Sequence, residues 1–453
     1  MTASTPVDML DTKLLRLIWR LGFPAIIGLS ANAINQFIDA LWITRLSPQA
    51  MAAVGLAFPV VLIVGATSAG MSVATAAELG RRLGRKDNTG AGRIVATAMI
   101  LSTLASALVA TLIAAFNRDV VTFVGGDSVT LPLAWDYLWP LLLFIPFAAL
   151  QVVCDFSALG AGHSRRSMQA LVLGFGINIV LDPIFIFVFG WGLTGAAFAT
   201  ICGQIAAIVL YAYWFRSGVL GLHPVIRGVT KTEFVALLRF APPVTILNLL
   251  TALSFLLLLW QAARLSDDIF IAALSFDLRL VSLVIIPVHG LALGAQAAVS
   301  HAHGALLQER AEQLIRCILT LTLGFGVVSM AVLLLIRPII VPILVPEAEM
   351  ATAVSKLLPY FAGYVVGSCM YIPLLSGFQA TDRALPAGLV ALAPNGYVML
   401  PLIYALPTLW GIEGFLWVLP LSGAITAGIA IVLHGLSQDQ RKPTDTAAPA
   451  DTA

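Results

Sequence analysis

The sequence predicts an all-α integral membrane protein, with twelve transmembrane helices in two parallel six-helix repeats around a central cavity. Three observations carry that prediction. Hydrophobic residues make up 59% of the 453-residue chain and charged residues 11%, against about 45–50% and about 25% in soluble domains. The apolar residues fall in runs of roughly 20 or more, the length that crosses a bilayer core as a helix. The runs also repeat, because the chain shifted by 219 residues lies on itself.

The spans are expected, in order, at Leu17–Thr44, Met51–Leu79, Ile94–Phe116, Leu138–Leu159, Met168–Phe189, Leu193–Phe215, Phe234–Ala263, Phe270–Ser300, Leu314–Leu335, Leu357–Gln379, Leu385–Pro407 and Ile412–Leu433. Helix is the only state open to them, because lipid offers the backbone no partners and the runs are about twice as long as barrel strands. Residues 1–13 are polar and include Asp8 and Asp11. The first run follows Arg16 and Arg20 and is too long for a signal core, so it is expected to stay as a span.

Lysines and arginines orient the bundle. Nineteen fall on the side that holds Arg81, Arg82, Arg85 and both termini, and five on the other (Arg45, Arg118, Arg264, Arg337, Lys356); Arg279 lies inside a span. Both termini are therefore expected in the cytoplasm, in agreement with an even number of spans. Net charge is +2, which gives no case for a nucleic-acid partner. The four cysteines lie in apolar runs with no C-x-x-C spacing, so neither a metal site nor a redox pair is indicated.

The 219-residue offset pairs Arg20 with Arg239, Pro24 with Pro243, and Arg45-Leu46-Ser47 with Arg264-Leu265-Ser266. It also pairs Trp191-Gly192-x-x-Gly195 with Trp410-Gly411-x-x-Gly414, and a one-residue slip aligns Gly70 with Gly290 and Gly84 with Gly304. Six spans per half give the halves one orientation, as in transporters with parallel repeats. The expected organisation is a first lobe over 1–215, a cytoplasmic linker over 216–233, a second lobe over 234–436 and a disordered tail over 437–453.

The halves differ in one chemical respect. Asp39 aligns with Leu258, Asp182 with Pro401, Asn178 with Tyr397 and Thr200 with Leu419. Asp39 is six residues from Arg45, about 9 Å along a helix, and Asp182 and Thr200 are each eight residues from the loop at 190–192, about 12 Å. Asn178 and Asp182, four apart, share a helix face. Three spans of one lobe thus place polar groups in one layer, where a charge costs at least about 2.5–3.5 kcal/mol. That layer reads as a cation or proton site, or as a polar knot joining helices. Pro24 removes a backbone bond from the helix that carries Asp39, so a bend there could move with the acid.

Ile38-Asp39 with Ala52-Ala53-Val54-Gly55-Leu56-Ala57, Asn178-Ile179-x-x-Asp182-Pro183, and Gly192-Leu193-Thr194-Gly195-Ala196-Ala197-x-Ala199-Thr200 resemble the multidrug and toxic compound extrusion (MATE) transporters over nearly the whole chain. Within that family the chain looks like the DinF-like branch. The resemblance implies a cation or proton site at Asp39, Asn178, Asp182 and Thr200, and helix bending at Pro24. NorM-like relatives place acids in the seventh and tenth helices; here those spans hold only Asn248 and Gln261, and no acid before Asp382.

The implied activity is antiport, in which a hydrophobic, cationic drug or metabolite leaves across a bacterial plasma membrane in exchange for H+, or for Na+ held by Asp39, Asp182 and Asn178. No cofactor is implied, and the chain is expected to act as a monomer in the bilayer. A flippase for a lipid-linked or amphipathic substrate is the alternative; it would need buried basic residues, for which only Arg279 is a candidate. No phosphate loop, H-E-x-x-H or G-x-S-x-G is present, which argues against an ATPase and two common hydrolase solutions.

Weaker candidates remain. Asp277 and Arg279 are two apart and do not face one another, so each either pairs elsewhere or serves substrate or coupling. Tyr364, Tyr371 and Phe361 could line a cavity or simply pack. Asp155 is expected to be solvated at the cytoplasmic end of its span, and His301 and His303 to lie at the interface.

Overall fold

The computed structural model of the chain describes residues 13–115, 130–225, 229–265, 268–345 and 348–439. The first lobe comprises α1 (Leu14–Leu46), α2 (Pro48–Gly84), α3 (Asn88–Ala115), α4 (Thr130–Gly160), α5 (Ser164–Pro183) and α6 (Gly192–Arg216). The second comprises α7 (Lys231–Leu265), α8 (Asp268–Gly304), α9 (Gln308–Leu344), α10 (Ala348–Ala380) and α11, which begins at Ala384–Leu392. A wide turn over Ala393–Tyr397 carries α11 into the run Met399–Asp439, and Gly411 (φ 59°, ψ −136°) breaks that run so that α12 covers residues 412–439. By length and composition, ten of the described runs can cross a membrane. Helix α2 and the division at Gly411 complete the twelve. We term the face at which α1 begins the near face, and the opposite one the far face.

The helices are longer than the apolar runs, because further turns of mixed composition continue them. Helix α4 starts at Thr130 rather than near Leu138, and α10 at Ala348 rather than near Leu357. Two boundaries are corrected. Arg216 closes α6 and Lys231 opens α7, and between them Leu220 and Leu222 are buried while the Val225 amide donates to the Gly92 carbonyl (3.2 Å). Helix α12 runs to Asp439, so residues 437–439 are helical where a tail was expected. The rest of the tail, and Asp8, Asp11, Phe116, Arg118, Arg227, Ser266, Arg441 and Lys442, lie outside the described residues.

Amphipathicity is inverted relative to a soluble bundle. On α3, Ser102, Ser106 and Ala110 are buried, whereas Leu104, Leu108 and Leu112 form an exposed stripe. Both sets recur every fourth residue, and the leucine face is the one that suits lipid.

The repeat is visible in backbone conformation. Left-handed residues occur at Lys86 (φ 61°) and Leu306 (63°), at Gly162 (81°) and Asp382 (60°), and at Gly192 (55°) and Gly411 (59°), each pair 219 or 220 apart. The caps repeat too. Lys86 N–H donates to Leu83 and Asp87 N–H to Leu83's neighbour Arg82, while Leu306 donates to His303 and Leu307 to Ala302. These paired bonds close the last helical turn through a residue in the left-handed region. Packing follows the same symmetry: α1 lies on α5 as α7 lies on α11, and α2 on α4 as α8 lies on α10.

Across the lobes α1 packs on α8 and α2 on α7. Glycines set the approach. A side chain at Gly84 would strike the His301 carbonyl, and one at Gly304 the Arg81 carbonyl. Residues 81 and 301 are themselves 220 apart, so this crossing is reciprocal. It is flanked by ion pairs: Glu233 of α7 meets Arg82 and Arg93 of the first lobe (both 3.1 Å), and Glu78 meets Arg81 (2.7 Å) and Arg82 (2.9 Å). Arg81 Nη1 also donates to the Gln379 carbonyl of α10 (2.6 Å). The lobes are thereby closed together at the near face.

Candidate cation site in the first lobe

Close helix contact assembles the site. Gly174 of α5 and Gly203 of α6 face one another, each too near the other's backbone carbonyl for a side chain to fit comfortably. One turn from that contact, Asn178 Nδ2 donates to Asp182 Oδ1 (3.1 Å) and reaches Thr200 Oγ1 (3.4 Å). Pro183 follows the acid, and the chain turns back through Gly190 and Gly192, both at positive φ, to start α6. Gly195 lets α6 press against the Phe185 carbonyl. These backbone requirements account for the glycines around the motif.

Helix α1 supplies the other half. Asn35 Nδ2 donates to Asp39 Oδ2 (3.1 Å), one turn apart on one face. The Asp39 and Asp182 carboxyl groups lie within hydrogen-bonding reach of each other. Asp182 is 1% exposed and Asn178 2%. Asp39 Oδ1, Asp182 Oδ2, Asn178 Oδ1 and Asn35 Oδ1 are buried without a donor among the described residues. Two carboxyl groups in contact need a proton or a cation between them, since two bare carboxylates repel. The site thus presents an excess of acceptor oxygens and is chemically suited to a proton or a small hard cation.

Sequence reasoning found Asp39, Asn178, Asp182 and Thr200, and the structure brings all four together. It missed Asn35, although the four-residue spacing to Asp39 was the available signal. It also missed Tyr137 of α4, close enough to interact electrostatically with both acids. Pro24 lies inside the continuous α1, where it frees the Arg20 carbonyl, and Ser164 Oγ approaches that carbonyl at 3.5 Å.

A cavity of about 280 Å³ adjoins this cluster. It lies inside the first lobe, against Leu293 of α8, and Pro24, Asn35, Asn178 and Thr200 line it. Asp155 lines it as well, which corrects the expectation of a solvated acid. It is 4% exposed, accepting from Tyr211 Oη (2.6 Å) and Gln151 Nε2 (3.2 Å).

Other candidates lie apart. Asp277 is fully buried in α8, and neither of its carboxyl oxygens meets a donor, so the expected structural pairing is not found among the described residues. The side chain of Arg279 lies outside the described residues. Tyr371 and Phe361 are buried in the second-lobe core with Tyr364 packed against them, and Tyr364 and Tyr371 contact each other. His303 Nδ1 meets Gln308 Oε1 (3.0 Å) at the near face.

The fold and this site define a twelve-helix membrane carrier with a polar cluster in one lobe. The MatE family profile matches residues 24–184 and again 243–405, two segments beginning 219 residues apart. The chain belongs to the MatE family and is a secondary transporter rather than an enzyme. It is 24% identical to the FAD transporter of Shewanella oneidensis over 98% of both chains, and 24% identical to the multidrug export protein MepA of Staphylococcus aureus over 92% of both. Among solved structures it resembles the outward-facing conformation of a multidrug resistance MATE family transporter of the MOP superfamily (TM-score 0.90, 22% identity, 97% and 99% of the two chains). It also resembles a MOP superfamily transporter from Pyrococcus furiosus (TM-score 0.89, 22% identity, 97% and 99%). These likenesses agree in fold with the two-lobe arrangement.

Proposed function

We propose that the protein is an antiporter that exports hydrophobic organic cations in exchange for H+, or Na+, through Asp39 and Asp182. The observation that carries this reading is the contact between the two carboxyl groups amid four buried, donorless oxygens. Entry of a proton or sodium ion there satisfies the pair, and its loss leaves two anions in contact. Asn35 and Asn178 connect that change to the cavity wall, and Pro24 supplies a point at which α1 can bend in response. Rocking of the lobes, with the near-face crossing parting and closing in turn, would then expose the cavity alternately.

Nineteen basic residues against five support a near face turned to the cytoplasm, and we assign the protein to a bacterial inner membrane. Restriction of the acid pair to the first lobe agrees with a DinF-like arrangement. Among the described residues the cavity lining holds a carboxylate and no lysine or arginine. That chemistry favours a cation over an anionic substrate of the kind named for the Shewanella relative.

The test is efflux of ethidium from proteoliposomes, with pH and sodium gradients imposed separately. One gradient is expected to drive efflux in the wild type, and Asp39→Asn is expected to abolish it while the protein remains monodisperse. Unchanged transport by that variant would remove the acid pair from the mechanism.

A further inference from the structure

We propose that Asp155 is the anionic anchor for the charged group of an organic monocation held in the first-lobe cavity. This assignment rests on the antiport reading and names the residue that meets the exported cation.

Asp155 lines the same space as Asn35 and Asn178, the amides that bond to Asp39 and Asp182. Tyr211, the partner of Asp155, is eleven residues beyond Thr200 on α6, about 16 Å along the helix. The cavity bridges that separation, since both Asp155 and Thr200 line it. The proton or ion site and the Asp155 site are therefore distinct.

Asp155 is a buried carboxyl group with no counter-charge among the described residues. Its two oxygens each accept one bond from a neutral donor, Tyr211 and Gln151. Among the described residues no basic side chain pairs with it, and none lines the cavity. A charge so buried is costly unless something positive meets it. Hydroxyl and amide donors directed at a carboxylate hold it in place and fix its orientation. Around it the wall is apolar at Leu29, Phe156, Leu171 and Phe175, with amides at Asn32 and Gln204. An apolar enclosure with one fixed charge and a few polar groups suits a compact hydrophobic cation. The aromatic rings add faces on which a delocalised or quaternary cation can rest.

The pseudo-equivalent position strengthens the asymmetry. Asp155 shifted by 219 or 220 residues falls on Leu374 or Leu375, so the second lobe carries no matching acid. The second lobe keeps its helices without one, so the fold itself does not call for a carboxylate there.

The experiment is equilibrium binding of tetraphenylphosphonium to the purified full-length protein, beside ethidium efflux at several pH values. Asp155→Asn is expected to weaken binding at least tenfold, and Asp155→Glu to stay within threefold of the wild type. Tyr211→Phe, which loosens the carboxylate without removing it, is expected to weaken binding by a smaller factor. If Asp155→Asn binds like the wild type, the anchor assignment is overturned while the antiport reading stands. If that variant keeps its affinity but loses the pH dependence of efflux, Asp155 carries protons instead, and the assignment is again overturned. A wild type that neither binds tetraphenylphosphonium nor moves ethidium under either gradient sinks the antiport reading itself. Should Asp155→Asn not fold, the wild type still decides the matter. Tetraphenylphosphonium is expected to protect Asp155 from carbodiimide modification, read by mass spectrometry, and absence of protection overturns the proposal.

Discussion

Asn178 shows how one amide can organise a membrane site. Its Nδ2 serves both Asp182 and Thr200, so it ties α5 to α6 and orients the acid toward Asp39. Replacing it with leucine keeps the size but leaves the Asp182 carboxyl without that donor. A buried polar group stripped of its partner costs about 1–3 kcal/mol. Asn178→Leu is therefore expected to lower the melting temperature in detergent and to cut gradient-driven efflux at least tenfold. Four members of this cluster were legible in the sequence because a polar residue inside an apolar run stands out, more so where the repeat partner is apolar. Tyr137 was not, because tyrosine is at home both in lipid-facing and in cavity positions. Asp155 stands at the near-face end of an apolar run, a position that reads as solvated, whereas Tyr211 and the packed ends of α2, α4 and α6 enclose it.

At the scale of the element, α1 is the helix whose conformation bears most directly on the site. It carries Pro24, Asn35 and Asp39 on one continuous run of 33 residues. Pro24 removes one backbone hydrogen bond, and the long approach of Ser164 to the Arg20 carbonyl only partly replaces it. Pro24→Ala is expected to restore that bond, raise thermal stability and slow efflux several-fold by stiffening the helix. Efflux at the wild-type rate together with a higher melting temperature would make the proline a static kink. Helix positions were readable from apolar run length, but helix ends were not. The extension of α12 on to Asp439 uses polar residues, which hydropathy assigns to loops, whereas α4 runs back to Thr130 through a mixed stretch that includes Trp135, Asp136 and Tyr137. The break at Gly411 has its counterpart at Gly192, where φ is likewise positive.

For the whole molecule, the two lobes are joined by close backbone packing and by charges at the near face. Glu233 is the one carboxylate of α7 that meets both Arg82 and Arg93 across the interface. Glu233→Gln removes the charge from that junction and is expected to speed hydrogen exchange at the near-face ends of α2 and α7 while leaving the far-face halves unchanged. Exchange identical to the wild type would mean that these ion pairs do not hold the lobes together. The 219-residue offset made the paired lobes visible beforehand, since it survives in proline, glycine and tryptophan positions. The location of the cavity inside one lobe, rather than midway between them, was not visible, because it depends on how closely α5 and α6 pack at Gly174 and Gly203.

The meeting of Gly84 with the His301 carbonyl, and of Gly304 with the Arg81 carbonyl, forms a bilateral clasp. Both contacts join α2 to α8 at one crossing, so helices that part there lose the two together. Alanine at Gly84 and alanine at Gly304 should consequently harm transport to a similar degree. Installing both should add little further damage, because the first already springs the pair.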